Sequence, residues 1–207
     1  MKREEKNQLT KRRILDRALK EFSEQGYGLS SINNVCSCDD ISKGIIYHYF
    51  QTKDELYLAC VEECFQRLTE YLKSSINFEN KTVHEKLNTY FNLRLKFFFD
   101  FPEYQRLFSE AVIMPPYHLK ELIQYKKAEF DKFNIFILNE IIKPVKLRQG
   151  ISKEYVVDIF RQAQDYINVR YQPVIEQGMD ILSHEEECKK ALDILLYGIV
   201  ERSEAIE

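Results

Sequence analysis

The sequence predicts an all-α fold, with a small N-terminal head of three helices and a larger helical body of about six helices. The 207 residues include only six glycines and five prolines, whereas sheet-rich folds use many of these residues in tight turns. Apolar residues recur at helical spacing along most of the chain, and no segment shows a convincing strand pattern. Three segments also match the capping box, in which Ser or Thr precedes Glu by three residues at a helix start.

The first segment combines one long helix with two short ones. Ile14, Ala18 and Phe22 follow the i, i+4, i+8 spacing of a helical face, and Gly26 is expected to end that helix in a left-handed cap. Serine N-caps then open two short helices, over about 32–36 and 43–50, with Asp39-Asp40 in the turn between them. Two short helices joined by a tight turn have helix-turn-helix spacing.

The rest of the chain reads as six longer helices. Their predicted bounds are about 52–73, 82–101, 103–114, 119–142, 152–178 and 183–200, with Pro173 kinking the fifth near its end. We assign residues 8–68 to a head domain and residues 69–207 to a body domain.

Composition narrows the possible classes of protein. The net charge is −3, and residues 1–60 hold ten Lys and Arg against nine Asp and Glu, so bulk charge does not mark a nucleic-acid binder. No apolar run approaches the roughly 18 residues that span a bilayer, and the charged N-terminus has no apolar stretch behind it. We therefore expect a cytoplasmic protein.

One string of residues in the head carries a family resemblance. Ile41-Ser42-Lys43-Gly44-Ile45-Ile46-Tyr47-His48-Tyr49-Phe50 is followed by Thr52-Lys53-Asp54-Glu55-Leu56 and preceded by Gly26-Tyr27. Residues 12–60 thereby resemble the DNA-binding head of the TetR family of bacterial regulators. The resemblance implies a homodimeric transcriptional regulator that binds a near-palindromic operator and, as a repressor, is released by a small-molecule effector. The chain departs from the family pattern at Asp39-Asp40, usually Ala-Gly, and at Ile45, often Thr.

The second short helix is brief enough to enter a major groove with its N-terminus leading. Lys43 offers a cation, Gly44 permits close backbone approach, and Ile45 suits a thymine methyl. Serine hydroxyls, amide groups and helix-terminus N–H groups nearby are suited to phosphate. The predicted DNA-contact residues are Ser30, Ser31, Asn33, Ser42, Lys43, Gly44, Ile45, Tyr47, His48 and Lys53, with Lys11, Arg12 and Arg13 as a weaker basic set. Ile46, Tyr49 and Phe50 are predicted to be head core.

The body is rich in aromatic residues, which suit either a core or an apolar ligand pocket. The predicted lining of an effector pocket is Phe91, Arg94, Phe98, Tyr104, Phe108, Tyr125 and Tyr166. Arg94 lies on a mostly apolar helix face, and a buried Arg requires a partner. Either an acidic ligand or a nearby carboxylate would serve.

The last two helices are predicted to form a four-helix bundle with those of a second copy, an isologous interface. The residues assigned to it are Ile159, Ala163, Ile167, Val174, Leu192, Leu195, Gly198 and Ile199. In a monomer the same stripes would be intrachain core.

Two other hypotheses remain open. Asp39-Asp40 and Ile45 are compatible with a helical small-molecule-binding protein whose head does not read DNA. Cys36 with Cys38, and Cys60 with Cys64, are compatible with a cysteine-based redox-sensing regulator. The sequence shows no supporting His for a metal site, no phosphate-binding glycine loop and no nucleophile elbow, so we expect neither an enzyme nor a bound cofactor or metal.

Overall fold

The described residues of the chain are helical, as the sequence predicts. The computed structural model describes residues 3–36, 41–175 and 181–199, which contain ten α-helices, one short 3-10 helix and no strand. The α-helices are α1 Arg3–Leu29, α2 Ile32–Val35, α3 Lys43–Tyr49, α4 Lys53–Ser75, α5 Val83–Asp100, α6 Glu103–Ile113, α7 Lys120–Lys126, α8 Ala128–Ile142, α9 Lys153–Ile175 and α10 Ile181–Ile199. The 3-10 helix is Tyr117–Leu119.

Helix α1 is interrupted at Gly26. The predicted apolar face of α1 is confirmed, because Ile14, Ala18 and Phe22 are all buried. Gly26 has φ 70° and ψ 172°. The positive φ agrees with the prediction, but the extended ψ places the residue outside the left-handed helical cap and in a region that is essentially restricted to glycine. The chain therefore changes direction here, just before the two short helices.

Side-chain caps start α2, α3, α4 and α5 where the sequence places them. Ser31 accepts from the Asn34 N–H at α2, and Ser42 accepts from the Ile45 N–H at α3. At α5, Thr82 and Glu85 cap each other's backbone N–H groups at 3.3 and 2.8 Å, a complete capping box. At α4 the Thr52 hydroxyl accepts from the Glu55 N–H at 3.1 Å, while the Glu55 carboxylate reaches the Gln51 N–H.

The structure corrects two helix boundaries. The helix expected over 119–142 is two helices, α7 and α8, with Lys127 between them at φ −90° and ψ 0°. No Gly or Pro marks this break, so helical periodicity could not reveal it. The capping box expected at Ser183 is wrong, because α10 already begins at Ile181 and Ser183 lies within it. Asp39-Asp40 and the side chain of Pro173 lie outside the described residues.

The chain folds into two compact units. The first unit comprises residues 1–67 and 100–128, and the second comprises 68–99 and 129–207. The predicted head thus shares its unit with the segment 100–128, which the sequence assigns to the body. The functional division between residues 68 and 69 stays a prediction.

Each unit has its own apolar core. In the first unit, Ile14 and Ala18 of α1, Ile46 of α3 and Leu56 of α4 are fully buried. Phe97 and Phe98 of α5, Ile141 of α8 and Phe160 of α9 are among the buried residues of the second. No helix among the described residues is long and apolar enough to cross a membrane.

Candidate nucleic-acid interface

Helix α3 has one core face and one outward face. Ile46 is completely buried and Phe50, which caps the helix, is 5% exposed. Lys43, Gly44 and His48 are exposed, as are Ile45 at 36% and Tyr47 at 48%. Residues 43, 44, 47 and 48 follow helical spacing, so they share the outward face. One cation, two polar rings and a glycine thus face away from the core along a seven-residue helix.

The serines near α2 and α3 have distinct structural roles. Ser31 and Ser42 are the N-caps of the two helices, and Asn33 is exposed. Ser30 is only 5% exposed, and its hydroxyl donates to the Tyr27 carbonyl at 2.9 Å. Ser30 therefore stabilises the connection between α1 and α2 instead of standing on the outward surface.

Lys53 also stabilises this connection. Its Nζ donates to the Tyr27 carbonyl at 2.6 Å and to the Ser30 carbonyl at 3.1 Å, and it lies 4.2 Å from the centroid of the Tyr27 ring. Two of its three ammonium donors are thereby used within the protein. The third ammonium donor of Lys53 is available for the predicted phosphate contact.

Tyr27 is the central residue of the connection. Its hydroxyl donates to Asp54 Oδ1 at 2.5 Å and lies 3.1 Å from His118 Nε2. Partial burial and the hydrogen bond to Asp54 raise the pKa of Tyr27 to about 12. The ring is therefore a neutral hydrogen-bond donor at physiological pH.

The basic set on α1 is partly engaged within the unit. Arg12 is bound to Asp16 at 2.6 Å and to Glu63 of α4 at 2.6 Å. Glu63 also accepts from the Tyr104 hydroxyl at 2.7 Å and pairs with Arg67 at 3.1 Å. Burial alone would raise the pKa of the Glu63 carboxyl, but the bonds from Arg12 and Tyr104 outweigh it and hold the pKa below its ordinary value. Arg12 thus joins α1 to α4, while Lys11 is exposed.

The residues predicted to line an effector pocket lie in both units. Phe91, Arg94 and Phe98 are buried in the second unit, and Tyr104 and Phe108 are buried in the first. Tyr125 and Tyr166 are 77% and 64% exposed. A shallow groove of about 540 Å³ on the first unit is lined instead by Asp16, Leu19, Lys20, Ser23, Glu24, Pro102 and Glu103.

Arg94 has an internal carboxylate partner, Glu185. Its Nη2 lies 2.7 Å from Glu185 Oε1, and its Nη1 donates to the Tyr90 hydroxyl at 3.0 Å. The guanidinium carbon lies 5.5 to 5.9 Å from the centroids of the Tyr90, Phe91 and Phe130 rings. Burial would raise the pKa of Glu185, but the charge of Arg94 and the contact with His184 lower it. Of the two partners that the sequence left open, the structure supplies the carboxylate.

The sequence does not single out Glu185, which falls in the first turn of the helix predicted over 183–200. The signal was available in the spacing, since Ile181, Glu185, Cys188 and Leu192 lie on one face of α10 and are all buried. A charged residue in such a stripe requires a buried partner.

The predicted dimer residues divide into three groups. Ile167 and Leu192 are 5% and 6% exposed, so they belong to the core of their own protomer. Ile159, Ala163 and Leu195 are half-buried. The side chains of Val174, Gly198 and Ile199 lie outside the described residues.

The outward faces of α9 and α10 expose other apolar residues. On α9, Tyr155, Tyr166 and Val169 are between 58% and 64% exposed. On α10, Ile194 and Tyr197 are 71% and 58% exposed. Ile159 continues the α9 stripe at i, i+4, i+11 and i+14 from Tyr155, a spacing that keeps residues on one helix face.

The described cysteines are free thiols, and three of them are buried. Burial raises the pKa values of Cys60, Cys64 and Cys188, which disfavours the reactive thiolate. Cys36 is half-buried, and Cys38 lies outside the described residues. Among the described residues, no three His, Cys, Asp or Glu side chains are grouped so that they could hold a metal ion.

Comparison with known proteins finds a family whose model matches the head. Residues 14–60 match the model of the bacterial regulatory proteins of the tetR family. Over 134 residues the chain is 26% identical to the biofilm operon icaADBC HTH-type negative transcriptional regulator IcaR of Staphylococcus epidermidis, covering 64% of this chain and 68% of that protein. These matches confirm the resemblance of the head to the tetR family.

A second relative and a solved structure extend the comparison. IcaR of Staphylococcus aureus strain Newman is 27% identical over 106 residues, and the chain spans about half the length of that relative, 55%. The fold extends further, since FadR from Bacillus subtilis, solved in complex with stearoyl-CoA, matches 90% of this chain and 98% of that one with a TM-score of 0.62 and 19% identity. At that identity the likeness concerns the fold alone.

Proposed function

We propose that this protein is a TetR-type, sequence-specific DNA-binding transcriptional repressor that acts as a homodimer and is released from its operator by a small molecule. One observation carries the proposal, namely the outward face of α3. Lys43, Gly44, Tyr47 and His48 are exposed on a short helix that Ile46 anchors in the core. A helix anchored on one side and polar on the other is suited to a major groove.

The contacts on DNA follow from the side-chain chemistry. Lys43 supplies a charge near the N-terminus of α3, and Tyr47 and His48 supply a hydroxyl and ring N–H groups for phosphates. Gly44 leaves open space, since a Cβ placed there has only the Ser42 hydroxyl within 4 Å, at 3.8 Å. Ile45 cannot donate or accept a hydrogen bond, so we expect it to favour a thymine methyl in each half-site.

The homodimer is supported by the exposed apolar faces of α9 and α10. Tyr155, Ile159, Tyr166 and Val169 on α9 and Ile194 and Tyr197 on α10 expose ring and aliphatic surface at helical spacing. A second copy of the chain covers such a surface with an identical one, as in an isologous interface. Two copies of α3 then reach successive major grooves, about 34–36 Å apart.

The effector is proposed to bind in the second unit, near Phe91, Arg94 and Phe98. The ring-lined surroundings of Arg94 suit an apolar molecule with one polar end. A ligand carboxylate has to compete with Glu185 for the guanidinium, because that carboxylate already occupies it. IcaR is by its name a negative regulator, and the repressor sign is proposed here on that similarity.

The proposal is tested by selecting duplexes from a random-sequence DNA library with the purified protein. We expect a two-fold-symmetric site. On that site, Lys43→Ala should lower the affinity for DNA. The slope of log affinity against log salt concentration should become shallower by the amount expected for about one lost phosphate contact per protomer. Lys20→Ala removes another exposed lysine, from α1, and serves as the control. Weak, salt-sensitive binding without any enriched sequence would contradict the proposal and favour a head that does not read DNA.

A further inference from the structure

Glu110 of α6 binds the backbone at the point where α1 ends and the two short helices begin. The Tyr27 N–H donates to Glu110 Oε2 at 3.0 Å and lies 3.3 Å from Oε1. The Tyr57 hydroxyl of α4 donates to Oε2 at 3.3 Å. The Glu110 side chain is 13% exposed, and Arg106 Nε lies 3.5 Å from Oε1. One carboxylate thus joins the end of α1 to both α4 and α6.

Gly26 makes this approach possible. A Cβ at position 26 would lie 2.2 Å from Glu110 Oε1 and 2.8 Å from Arg106 Nη2. Arg106 also donates from Nη1 to the Glu24 carbonyl at 2.8 Å. The glycine therefore provides both the positive φ and the space into which α6 directs its ion pair.

The backbone that Glu110 holds leads directly into α2, the first of the two short helices. Lys53 of α4 donates hydrogen bonds to the Tyr27 and Ser30 carbonyls, and Ser31 is the N-cap of α2. Tyr27 is accordingly bound through its N–H, its carbonyl and its hydroxyl. Residues 26–31, which we term the junction, have little freedom to move independently of α4 and α6.

The segment that carries Glu110 is connected at both ends to the second unit. Residues 100–128 belong to the first unit, whereas residues 68–99 before them and residues 129 onward belong to the second. Glu110 therefore reaches Tyr27 from a segment that is separate in sequence from the rest of the first unit.

We propose that Glu110 is a positioning residue that sets the orientation of α3 by holding Tyr27. This inference rests on the proposed DNA-binding function and adds to it a residue that sets the position of the DNA-contacting helix. Without Glu110, the Tyr27 N–H loses its acceptor and the Tyr57 hydroxyl loses its partner, so the junction and α3 gain freedom.

The first test measures half-site spacing. Wild type, Glu110→Ala, Glu110→Gln and Glu103→Ala are each selected on duplexes carrying two half-sites at randomised separation. Wild type and the Glu103→Ala control on the same helix should recover a single separation. Glu110→Ala should recover several separations and bind the wild-type site roughly tenfold more weakly, within the usual range for coupling between sites. Glu110→Gln should restore most of the preference, because its amide oxygen still accepts from the Tyr27 N–H.

The second test needs no DNA and therefore separates this inference from the proposed function. Amide hydrogen exchange is followed in the peptide that contains Tyr27. Glu110→Ala should accelerate exchange of the Tyr27 amide roughly tenfold, since a part-buried donor loses its acceptor, and Glu103→Ala should not. Unchanged exchange overturns the inference whether or not the wild type selects DNA. Faster exchange with an unchanged separation also overturns it, because Glu110 would then be only a structural anchor.

Discussion

Lys43 of helix α3 in the first unit and Arg94 of helix α5 in the second unit lie in opposite environments. Lys43 of α3 is exposed on a surface with Tyr47 and His48, whereas Arg94 of α5 is 2% exposed, ringed by aromatic side chains and paired with Glu185. The first cation is available to an outside partner, and the second is neutralised inside the protein. Exposure and local pairing, more than net charge, therefore distinguish a binding face from a core.

The largest expected effect concerns the buried pair. Arg94→Met leaves the Glu185 charge without its partner, and we expect it to lower the free energy of unfolding by about 3–5 kcal/mol. Adding Glu185→Leu should recover most of that loss, because a buried ion pair is often replaceable by apolar residues of similar volume. Urea unfolding of the single and double variants measures both values.

An exposed pair on α9 and α10 provides the control for this experiment. Arg170 and Glu187 are 3.9 Å apart with side chains 58% and 41% exposed, so Arg170→Met should change the unfolding free energy by less than about 1 kcal/mol. A double Arg94→Met/Glu185→Leu variant as unstable as the single variant would show that the pair is structurally irreplaceable.

A second expected effect separates the two faces of α3 with neighbouring isoleucines. Ile46 is fully buried and Ile45 is 36% exposed. Ile46→Ala should therefore cost about 2–5 kcal/mol of stability, while Ile45→Ala should stay within about 0.5 kcal/mol and instead relax the preference for thymine. Thermal unfolding and repeated DNA selection give the two readouts. Equal destabilisation by both variants would mean that α3 has no outward face.

The smallest expected effect is a pH dependence from Glu63. Its folded pKa lies below the ordinary value of 4.5, so its ionised form stabilises the fold above about pH 4.5 and this contribution is lost as pH falls through the folded pKa. Glu63→Gln should accordingly lower Tm at pH 7 and lose less on acidification to pH 3 than wild type does. Glu79→Gln, on an exposed loop, reports the background, and parallel Tm curves for wild type and Glu63→Gln would contradict the assignment.

The sequence predicts the head better than the body because head signals are local. Serine caps and the apolar stripe of α1 act within a few residues and have their expected places in the structure, and Gly26 has the expected positive φ but not the left-handed helical ψ. The Arg94–Glu185 pair joins residues 91 apart in the chain, and the break at Lys127 has no local marker. Such features depend on tertiary packing, which a single sequence does not display.

The same distinction applies to individual site residues. Lys43 and Tyr47 could be assigned to the surface because Ile46 and Phe50 alternate with them at helical spacing. Ser30 and Lys53 looked equally suitable for phosphate, but their hydrogen bonds run to the Tyr27 carbonyl within the protein. The role of Glu110 depends on an approach from α6 to residues more than 80 positions earlier.

The central claim, that the outward face of α3 reads DNA, is tested most directly with two tyrosines. Tyr47 on α3 and Tyr125 on α7 are both exposed residues of the first unit, at 48% and 77%. Fluorescence anisotropy on the selected duplex at fixed salt compares Tyr47→Ala with Tyr125→Ala. We expect Tyr47→Ala to raise the Kd by about tenfold or more, as for loss of a hydrogen bond to a charged group. Tyr125→Ala should bind like wild type. Equal affinities for both variants and wild type would contradict the claim.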